Sequence, residues 1–186
     1  MKKRGKFILR LILGMMLMFV LILGSLYLIG RTIKKEVCSG VDIHASDKQV
    51  WQILTDFPSY PQWNPYIHQV RGEIKAGAQI YIFNQSSDTD AGRAFRPTIL
   101  TVTPGRELRW LGYVYVPGLF DGEHVFTIQS LDDAHVHFMQ CETFSGIGTV
   151  IDAQDTNTQG DFQRMNLALK ARSEAAFSRE VQLRAA

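Results

Sequence analysis

Hydrophobic residues form one long uninterrupted run near the start of the chain. Residues 11–30, LILGMMLMFVLILGSLYLIG, contain no charged side chain. An α-helix of about 20 residues rises about 30 Å, which matches the hydrocarbon thickness of a membrane. The pattern therefore predicts a single transmembrane helix at residues 11–30.

Basic residues flank this run, five before it and three after it. The larger cluster on the N-terminal side favours a cytoplasmic N-terminus, with the rest of the chain on the non-cytoplasmic side of the membrane. A cleaved signal peptide is the alternative, but its apolar region is shorter, about 7–15 residues, and it ends in a small-x-small site that this run lacks. We therefore expect an uncleaved single-pass anchor.

After the anchor the pattern changes to short alternating segments separated by Gly and Pro. A strand is predicted at 37–44, followed by a short helix with Ser46 as its N-cap. This helix ends at Phe57-Pro58, because the residue before a proline avoids the helical conformation. Six further strands are predicted at 66–70, 79–84, 97–103, 107–116, 123–130 and 135–144.

Two connecting segments differ from ordinary short turns. The stretch DFPSYPQWNPYI at 56–67 combines three prolines with four aromatic residues, which makes it too stiff for a linker and too broken for a helix. Residues 86–93 form a polar loop. Arg93 and Arg96 beside this loop can meet an anionic head group, although solubility explains them equally well.

The C-terminal part returns to a helical period. Thr158 begins a pattern like a capping box, and Phe162, Met165 and Leu169 form one apolar stripe with Asn166 beside it. This predicts an amphipathic helix of about 20 residues, long enough to cross a sheet. The expected fold class is α+β, a curved seven-stranded antiparallel sheet wrapped around this helix, plus the N-terminal transmembrane helix.

The charge of the chain divides at the same place as its hydrophobic pattern. The formal net charge is +2, from 20 basic and 18 acidic side chains. Eight basic and no acidic residues lie within 1–35, so residues 36–186 keep 12 basic and 18 acidic side chains, a net charge of −6. We expect a membrane segment at 1–35 and a domain at 36–186. Nucleic acid is not expected as a partner, because phosphate binding needs a basic surface.

Local sequences in the domain point to one superfamily. They are VWQILTDFPSYPQWNP at 50–65, PGRELRW at 104–110, GLFDGEH at 118–124 and ETFSG at 142–146. Together with the order of elements, they resemble the START/Bet v 1-like helix-grip superfamily, which includes the SRPBCC and polyketide cyclase proteins. The resemblance implies an apolar cavity between sheet and long helix, one side of which the proline-rich segment closes. It also implies functions from lipid carriage to aromatase/cyclase activity, among which the fold cannot choose.

The two cysteines, Cys38 and Cys141, are too few for a disulfide framework. Composition favours two buried thiols. The alternative, a disulfide, requires an oxidising compartment. The resemblance adds that the first and last strands of this fold usually pair, which would bring the two residues near each other.

Alternation with a period of two assigns side chains to the faces of the predicted strands. His124 then faces the long helix, and Gln140 and Glu142 lie beside it on the next strand. Apolar walls with a few placed polar groups are typical of ligand sites, and a carboxylate near an imidazole can transfer protons. We predict ligand contacts from Trp63, Tyr66, Trp110, His124, Phe126, Phe138, Gln140, Glu142, Met165, Asn166 and Leu169.

Three functions stay open. The favoured one is a membrane-tethered module that holds a hydrophobic small molecule, such as a lipid, an isoprenoid or a polyketide-like compound. The second is a cyclase or dehydratase that uses His124 with Glu142 or Gln140, and the third is an accessory interaction protein with a filled core. No cofactor or metal is expected, since His135 and His137 lack a third ligand and nucleotide motifs are missing. Oligomeric state is not determined.

Overall fold

The computed structural model describes residues 2–87, 89, 91–151 and 157–185. The helices are α1 (Lys2–Thr32), α2 (Asp47–Thr55), a 3₁₀ helix (Phe57–Gln62), α3 (Ile147–Ile151) and α4 (Thr158–Ala185). The strands are β1 (Lys34–Ile43), β2 (Ile67–Arg71), β3 (Tyr81–Asn84), β4 (Arg93–Phe95), β5 (Thr98–Thr103), β6 (Glu107–Tyr113), β7 (Asp121–Ser130) and β8 (Val136–Ser145).

All strand pairs are antiparallel and lie in two groups. Five strands form a sheet in the order β1-β8-β7-β6-β5, and three form a sheet in the order β2-β3-β4. A bridge between Gln79 and Thr98 joins the groups, next to a hydrogen bond from Ile80 N to the Pro97 carbonyl. The predicted α+β helix-grip class is confirmed. The strands number eight in the described part of the chain, because Arg93–Phe95 pairs with β3 at the end of the segment expected to be a loop.

The first and last strands pair along their full length of ten residues each. This register places Cys38 opposite Cys141, with Cα atoms 4.1 Å apart, and the two side chains form a disulfide. The interpretation as two buried thiols is therefore wrong. The cysteines are 103 positions apart in sequence, so only the pairing of distant strands brings them together.

The proline-rich segment after α2 is a rigid part of the core. Tyr60 is fully buried, and its hydroxyl donates a 2.6 Å hydrogen bond to the Leu54 carbonyl. Burial raises the pKa of the Tyr60 phenol, which keeps this donor protonated. The Trp63 indole donates to the Ser59 hydroxyl at 3.2 Å, and its ring meets Tyr60 edge to face at 5.0 Å. The segment thus closes one end of the domain with packed aromatic rings.

Helix α4 packs against β1 and α2. Its apolar stripe, Phe162, Met165 and Leu169, is fully buried, as the helical period predicts. Asn166 lies on the same side and donates from Nδ2 to the Ser39 carbonyl of β1 at 2.9 Å. This bond ties the helix to the edge strand that the disulfide also holds.

Replacing both cysteines, Cys38→Ser with Cys141→Ser, is expected to lower the free energy of unfolding by about 3–5 kcal/mol, because a disulfide restricts the unfolded chain more when the closed loop is long. Urea unfolding of the purified full chain, followed by circular dichroism, measures the change. A reductant should reproduce the loss in the wild type and leave the double variant unaffected. Equal stability of the two proteins would contradict the stabilising role.

Candidate ligand-binding site

A cavity of about 190 Å³ lies between the two groups of strands. Two of its lining residues, Arg93 and Tyr113, are exposed and mark its mouth, whereas Trp110 and His124 are buried at its inner end. The lining consists of Tyr66, Ile67, Ile82, Asn84, Arg93, Phe95, Pro97, Trp110, Gly112, Tyr113, Val114, Phe120, Gly122, His124, Glu142, Phe144 and Thr158.

The register of three strands places an indole, an imidazole and a carboxylate in one row. Trp110 of β6 lies opposite His124 of β7, which lies opposite Glu142 of β8. The Trp110 and His124 rings stack with centroids 5.2 Å apart and an interplanar angle of 28°. His124 Nδ1 is 3.5 Å from Glu142 Oε2. Because directly opposite residues of neighbouring strands point to the same face, all three side chains reach the cavity.

The other nitrogen of the imidazole determines which tautomer His124 adopts. His124 Nε2 lies 3.0 Å from Gln140 Nε2, and an amide nitrogen can only donate. Nε2 is therefore the acceptor, so the neutral ring carries its proton on Nδ1, the atom that faces Glu142. Gln140 also donates to Met165 Sδ at 3.6 Å, which holds the amide against the core.

Two paired glycines leave room in the cavity. Gly112 of β6 lies opposite Gly122 of β7, and both line the cavity. A Cβ atom added to Gly122 would lie 2.6 Å from Glu142 Oε1, so the missing side chain makes space for the carboxylate. Glycine within a strand often marks such a close approach.

Two acceptors at the cavity have unused capacity. Asn84 Oδ1 is buried without a hydrogen-bond partner among the residues that the structure describes, while its Nδ2 donates to the Tyr66 hydroxyl at 3.2 Å. The Glu142 carboxylate has only its 3.5 Å approach to His124 within that same part of the chain. A buried acceptor without a donor costs about 1–3 kcal/mol. Both positions therefore suit a hydroxyl or amine group of a bound molecule, or water.

The structure distributes the predicted ligand-binding residues over three places. Four line the cavity, namely Tyr66, Trp110, His124 and Glu142. Six are buried in the core outside the lining, namely Phe126, Phe138, Gln140, Met165, Asn166 and Leu169. Trp63 packs against the core from the proline-rich segment. Ligand contact stays a prediction for each of them.

Sequence reasoning missed the wall that comes from β3, β4 and the segment before β7. Asn84, Phe95 and Phe120 belong to that wall. Arg93 was identified beside the polar loop as a residue that can meet an anionic head group, but not as part of this wall. The sequence did contain one indication of this space, the glycines Gly112 and Gly122. Glycines inside otherwise regular strands indicate space beside the backbone.

One group of metal-ligand atoms in the described ranges lies within 4.8 Å, from Glu36, Cys38 and Cys141. The two sulfurs form the disulfide and are not thiolates, so they lack the charge that a metal would need. This group therefore does not explain a metal centre in the oxidised protein. That no metal or cofactor is used stays a prediction.

The sequence matches a family described as polyketide cyclase / dehydrase and lipid transport, over residues 35–174. The chain belongs to this family. The matched range includes all eight described strands, apart from the first residue of β1. It also includes the first part of α4. A search of curated proteins found no match.

Solved structures from the same fold group support the architecture of the polyketide cyclase / dehydrase and lipid transport family. The aromatase/cyclase Zhui from a Streptomyces species is 13% identical, covers 76% of this chain and 94% of its own, and has a TM-score of 0.60. Norcoclaurine synthase from Thalictrum flavum, solved with dopamine and hydroxybenzaldehyde, is 8% identical, with coverages of 75% and 86% and a TM-score of 0.56. A Chromobacterium violaceum protein is 16% identical, with coverages of 75% and 96% and a TM-score of 0.60. At these identities the likeness concerns the fold alone.

A double-mutant cycle tests the contact between His124 and Gln140. His124→Leu is expected to lower the free energy of unfolding through lost packing contacts and by about 1–3 kcal/mol in addition. The additional loss arises because the Gln140 amide loses its buried acceptor. Adding Gln140→Leu should recover part of this loss, since no unpaired polar group remains. Urea unfolding of the two single variants and the double variant measures the coupling. Strictly additive losses would contradict the hydrogen bond.

Proposed function

We propose that the chain is a membrane-tethered binding protein that holds a small apolar molecule, or one end of a longer lipid, in the cavity. The observation that carries this proposal is an apolar and aromatic wall in which Asn84 Oδ1 is an unpartnered acceptor and the Glu142 carboxylate, 3.5 Å from His124 Nδ1, has unused acceptor capacity. Sites for small molecules combine such walls with a few placed polar groups. A hydroxyl or amine group of the ligand would donate to these acceptors.

The cavity size limits the ligand class. Its volume is about 190 Å³, close to that of an engineered cavity of about 150 Å³ that binds benzene, and below the roughly 300–1,000 Å³ of drug-sized sites. The fit is therefore to one ring with a short substituent, or to the end of a lipid or isoprenoid whose tail leaves through the mouth. The cavity also disfavours the third predicted function, an accessory protein with a filled core.

The tether rests on α1. Residues Gly5–Gly30 form a 26-residue helical stretch, within which an 18-residue segment has a mean hydropathy of 2.6 and is not buried. Such a helix gains stability from a membrane because its exposed side chains prefer hydrocarbon to water. We propose 1–35 as the membrane part and 36–186 as the binding domain. Tethering keeps this domain beside a lipid source and raises its effective concentration there.

The disulfide supports a proposal about the side of the membrane on which the domain lies. Cys38 and Cys141 form a bond that persists in oxidising compartments and is rare in the cytosol. Together with the larger basic cluster before the anchor, it favours a cytoplasmic N-terminus and a domain outside the cytoplasm.

A second candidate function is acid–base catalysis of the dehydratase or cyclase kind. The observation that favours it is the approach of His124 Nδ1 to Glu142 Oε2 at 3.5 Å beside the cavity. The Nδ1 proton lies between the two groups, so the pair can donate a proton to a ligand oxygen or remove one from a ligand. Binding needs only the cavity and its acceptors, whereas catalysis also needs proton transfer to or from the ligand. We therefore propose binding as the first function.

Native mass spectrometry of the full chain, released from detergent micelles, is expected to show a co-purifying small molecule. Gly112→Leu should abolish this adduct, because a side chain at position 112 enters the cavity beside Pro97, where a Cβ has an ordinary contact of 3.5 Å. Gln129→Leu, exposed near the end of β7, is the matched control and should keep the adduct. An adduct-free wild type that takes up neither phenol nor octanoic acid on titration would contradict the binding function.

The same measurement separates binding from catalysis. Glu142→Gln preserves the shape of the side chain but removes the group that exchanges a proton with His124. A binding protein should carry the same adduct mass in the wild type and this variant, or less of it in the variant. An enzyme should accumulate unreacted substrate in the variant, so a different adduct mass there would favour the second candidate.

Thiol trapping in intact cells tests the orientation. We expect Cys38 and Cys141 to resist alkylation by a maleimide after acid quenching and denaturation, and both to react once a reductant is added, because an oxidising compartment maintains the disulfide. Full alkylation of both residues without reductant would place the domain in a reducing compartment.

A further inference from the structure

The connection between β6 and β7 exposes apolar and aromatic side chains to an unusual degree. We call residues 113–117 the aromatic loop. Its side chains Tyr113, Tyr115 and Val116 are 48%, 86% and 57% exposed. Contiguous exposed apolar groups on a soluble surface commonly mark a contact with a membrane or a partner. The aromatic loop therefore needs an explanation beyond its role as a connection.

The aromatic loop is ordered and carries backbone strain. Val116 N donates to the Val114 carbonyl at 2.9 Å around Tyr115, whose φ of 64° is unfavourable for a bulky residue. The Gly118 N–H is shared between the two carboxylate oxygens of Asp121, at 2.9 and 3.0 Å, and this contact holds the base of the loop. Strain maintained by surrounding contacts is typical of functional positions. Here it directs the Tyr115 ring away from the domain.

The base of the aromatic loop is attached to the end of α1. A Cβ atom added to Gly118 would lie 2.5 Å from the Tyr27 ring, so the two residues are in close contact. Gly146 N donates to the Gly30 carbonyl at 2.9 Å, and Ile147 N donates to the Gly118 carbonyl at 3.3 Å. These contacts fix the position of the loop relative to the apolar helix.

This attachment defines the depth of the aromatic loop in a membrane. The uncharged run at 11–30 has 20 residues, which at about 1.5 Å per residue matches the roughly 30 Å of hydrocarbon. Gly30 therefore lies at the boundary with the headgroup layer, and Tyr27 is only about 4.5 Å before it. Gly118 packs at the level of Tyr27. Tyrosine is enriched at this level of a bilayer.

The aromatic loop is also one wall of the cavity. Tyr113 and Val114 line it, as does Phe120 just beyond the loop, and the exposed Tyr113 and Arg93 form its mouth. The mouth therefore adjoins the surface that the anchor brings to the bilayer. Arg93 is exposed at this mouth, and its guanidinium carries the positive charge that attracts a lipid phosphate.

We propose that the aromatic loop inserts into the membrane interface beside the anchor, so that the cavity opens onto the bilayer and takes its ligand directly from it. The partner of this surface is thus a lipid bilayer. The inference rests on the proposed function in one respect, that α1 spans the membrane. Insertion also accounts for the exposed rings and for the strain at Tyr115, since the interface stabilises a tyrosine held outward.

Site-directed fluorescence of the full chain in vesicles of phosphatidylcholine and phosphatidylglycerol tests the proposal. Tyr115→Cys and Leu131→Cys each receive an environment-sensitive dye under non-reducing conditions, which leave the native disulfide closed. Leu131 is the matched control, because it is 56% exposed and follows β7 at the end opposite the loop. The two ends of this strand of ten residues are about 30 Å apart.

The dye at position 115 is expected to be quenched several-fold more by lipids with a nitroxide near the headgroup than the dye at position 131. Aqueous iodide should show the reverse preference. Strong iodide quenching at both positions would overturn the proposal, because the loop would then lie in water. Protection at position 115 from both quenchers would also overturn it, since a second copy or another protein would then cover the loop.

A dye at a third position tests the membrane tether independently of the aromatic loop. Leu17→Cys lies within the apolar stretch, and its dye should be quenched by lipids with a nitroxide in the bilayer centre. Failure at position 17 would contradict the membrane tether of the proposed function. Quenching at position 17 without quenching at position 115 would leave the tether intact and contradict only the insertion of the aromatic loop.

Discussion

The antiparallel pairing of β1 with β8 is the constraint on which most other features depend. It joins the first strand of the domain to the last, and the link between Cys38 and Cys141 holds the two in one register. Helix α4 is tied to β1 through Asn166, so the position of the helix follows from that of the strand. The end of α1 is bonded to Gly146, the residue directly after β8. Helix α1, the sheet and helix α4 thus meet at one pair of strands.

The same sheet also determines the chemistry of the cavity. Strands β6, β7 and β8 each contribute one residue to the row of Trp110, His124 and Glu142, and a shift of register by one residue would turn a side chain to the opposite face. Burial of an imidazole is tolerated because Gln140 satisfies one nitrogen from within the core. The carboxylate has no comparable internal donor among the described residues. His124 is therefore held from the core by Gln140, while the Glu142 carboxylate faces the cavity.

Helix α1 and the cavity are connected through short backbone contacts. Gly146 N donates to the Gly30 carbonyl at the end of α1, and the next residues, Ile147 and Gly148, donate to the carbonyls of Gly118 and Leu119. This segment leads directly into the cavity wall at Phe120. In the proposed tethered arrangement, a rigid attachment at this point would give the domain a defined orientation relative to the membrane, which a flexible linker would not provide. A hydrophobic molecule avoids water most effectively when its binding site adjoins its source. The arrangement is consistent with a binding protein that works at a bilayer surface.

Features with a local physical cause were predictable from the sequence. The apolar run predicted α1, Ser46 caps α2 by accepting from Gln49 N at 3.3 Å, and the alternation with a period of two predicted that His124 and Gln140 point inward. Backbone geometry alone sets these periods, so a few neighbouring residues suffice to identify them.

The tertiary structure decided the disulfide, the size of the cavity and the contact of Gly118 with Tyr27. Each of these joins residues far apart in sequence, and each depends on strand registers and packing distances. The sum of many distant contacts sets those registers and distances, and no short stretch of sequence contains them.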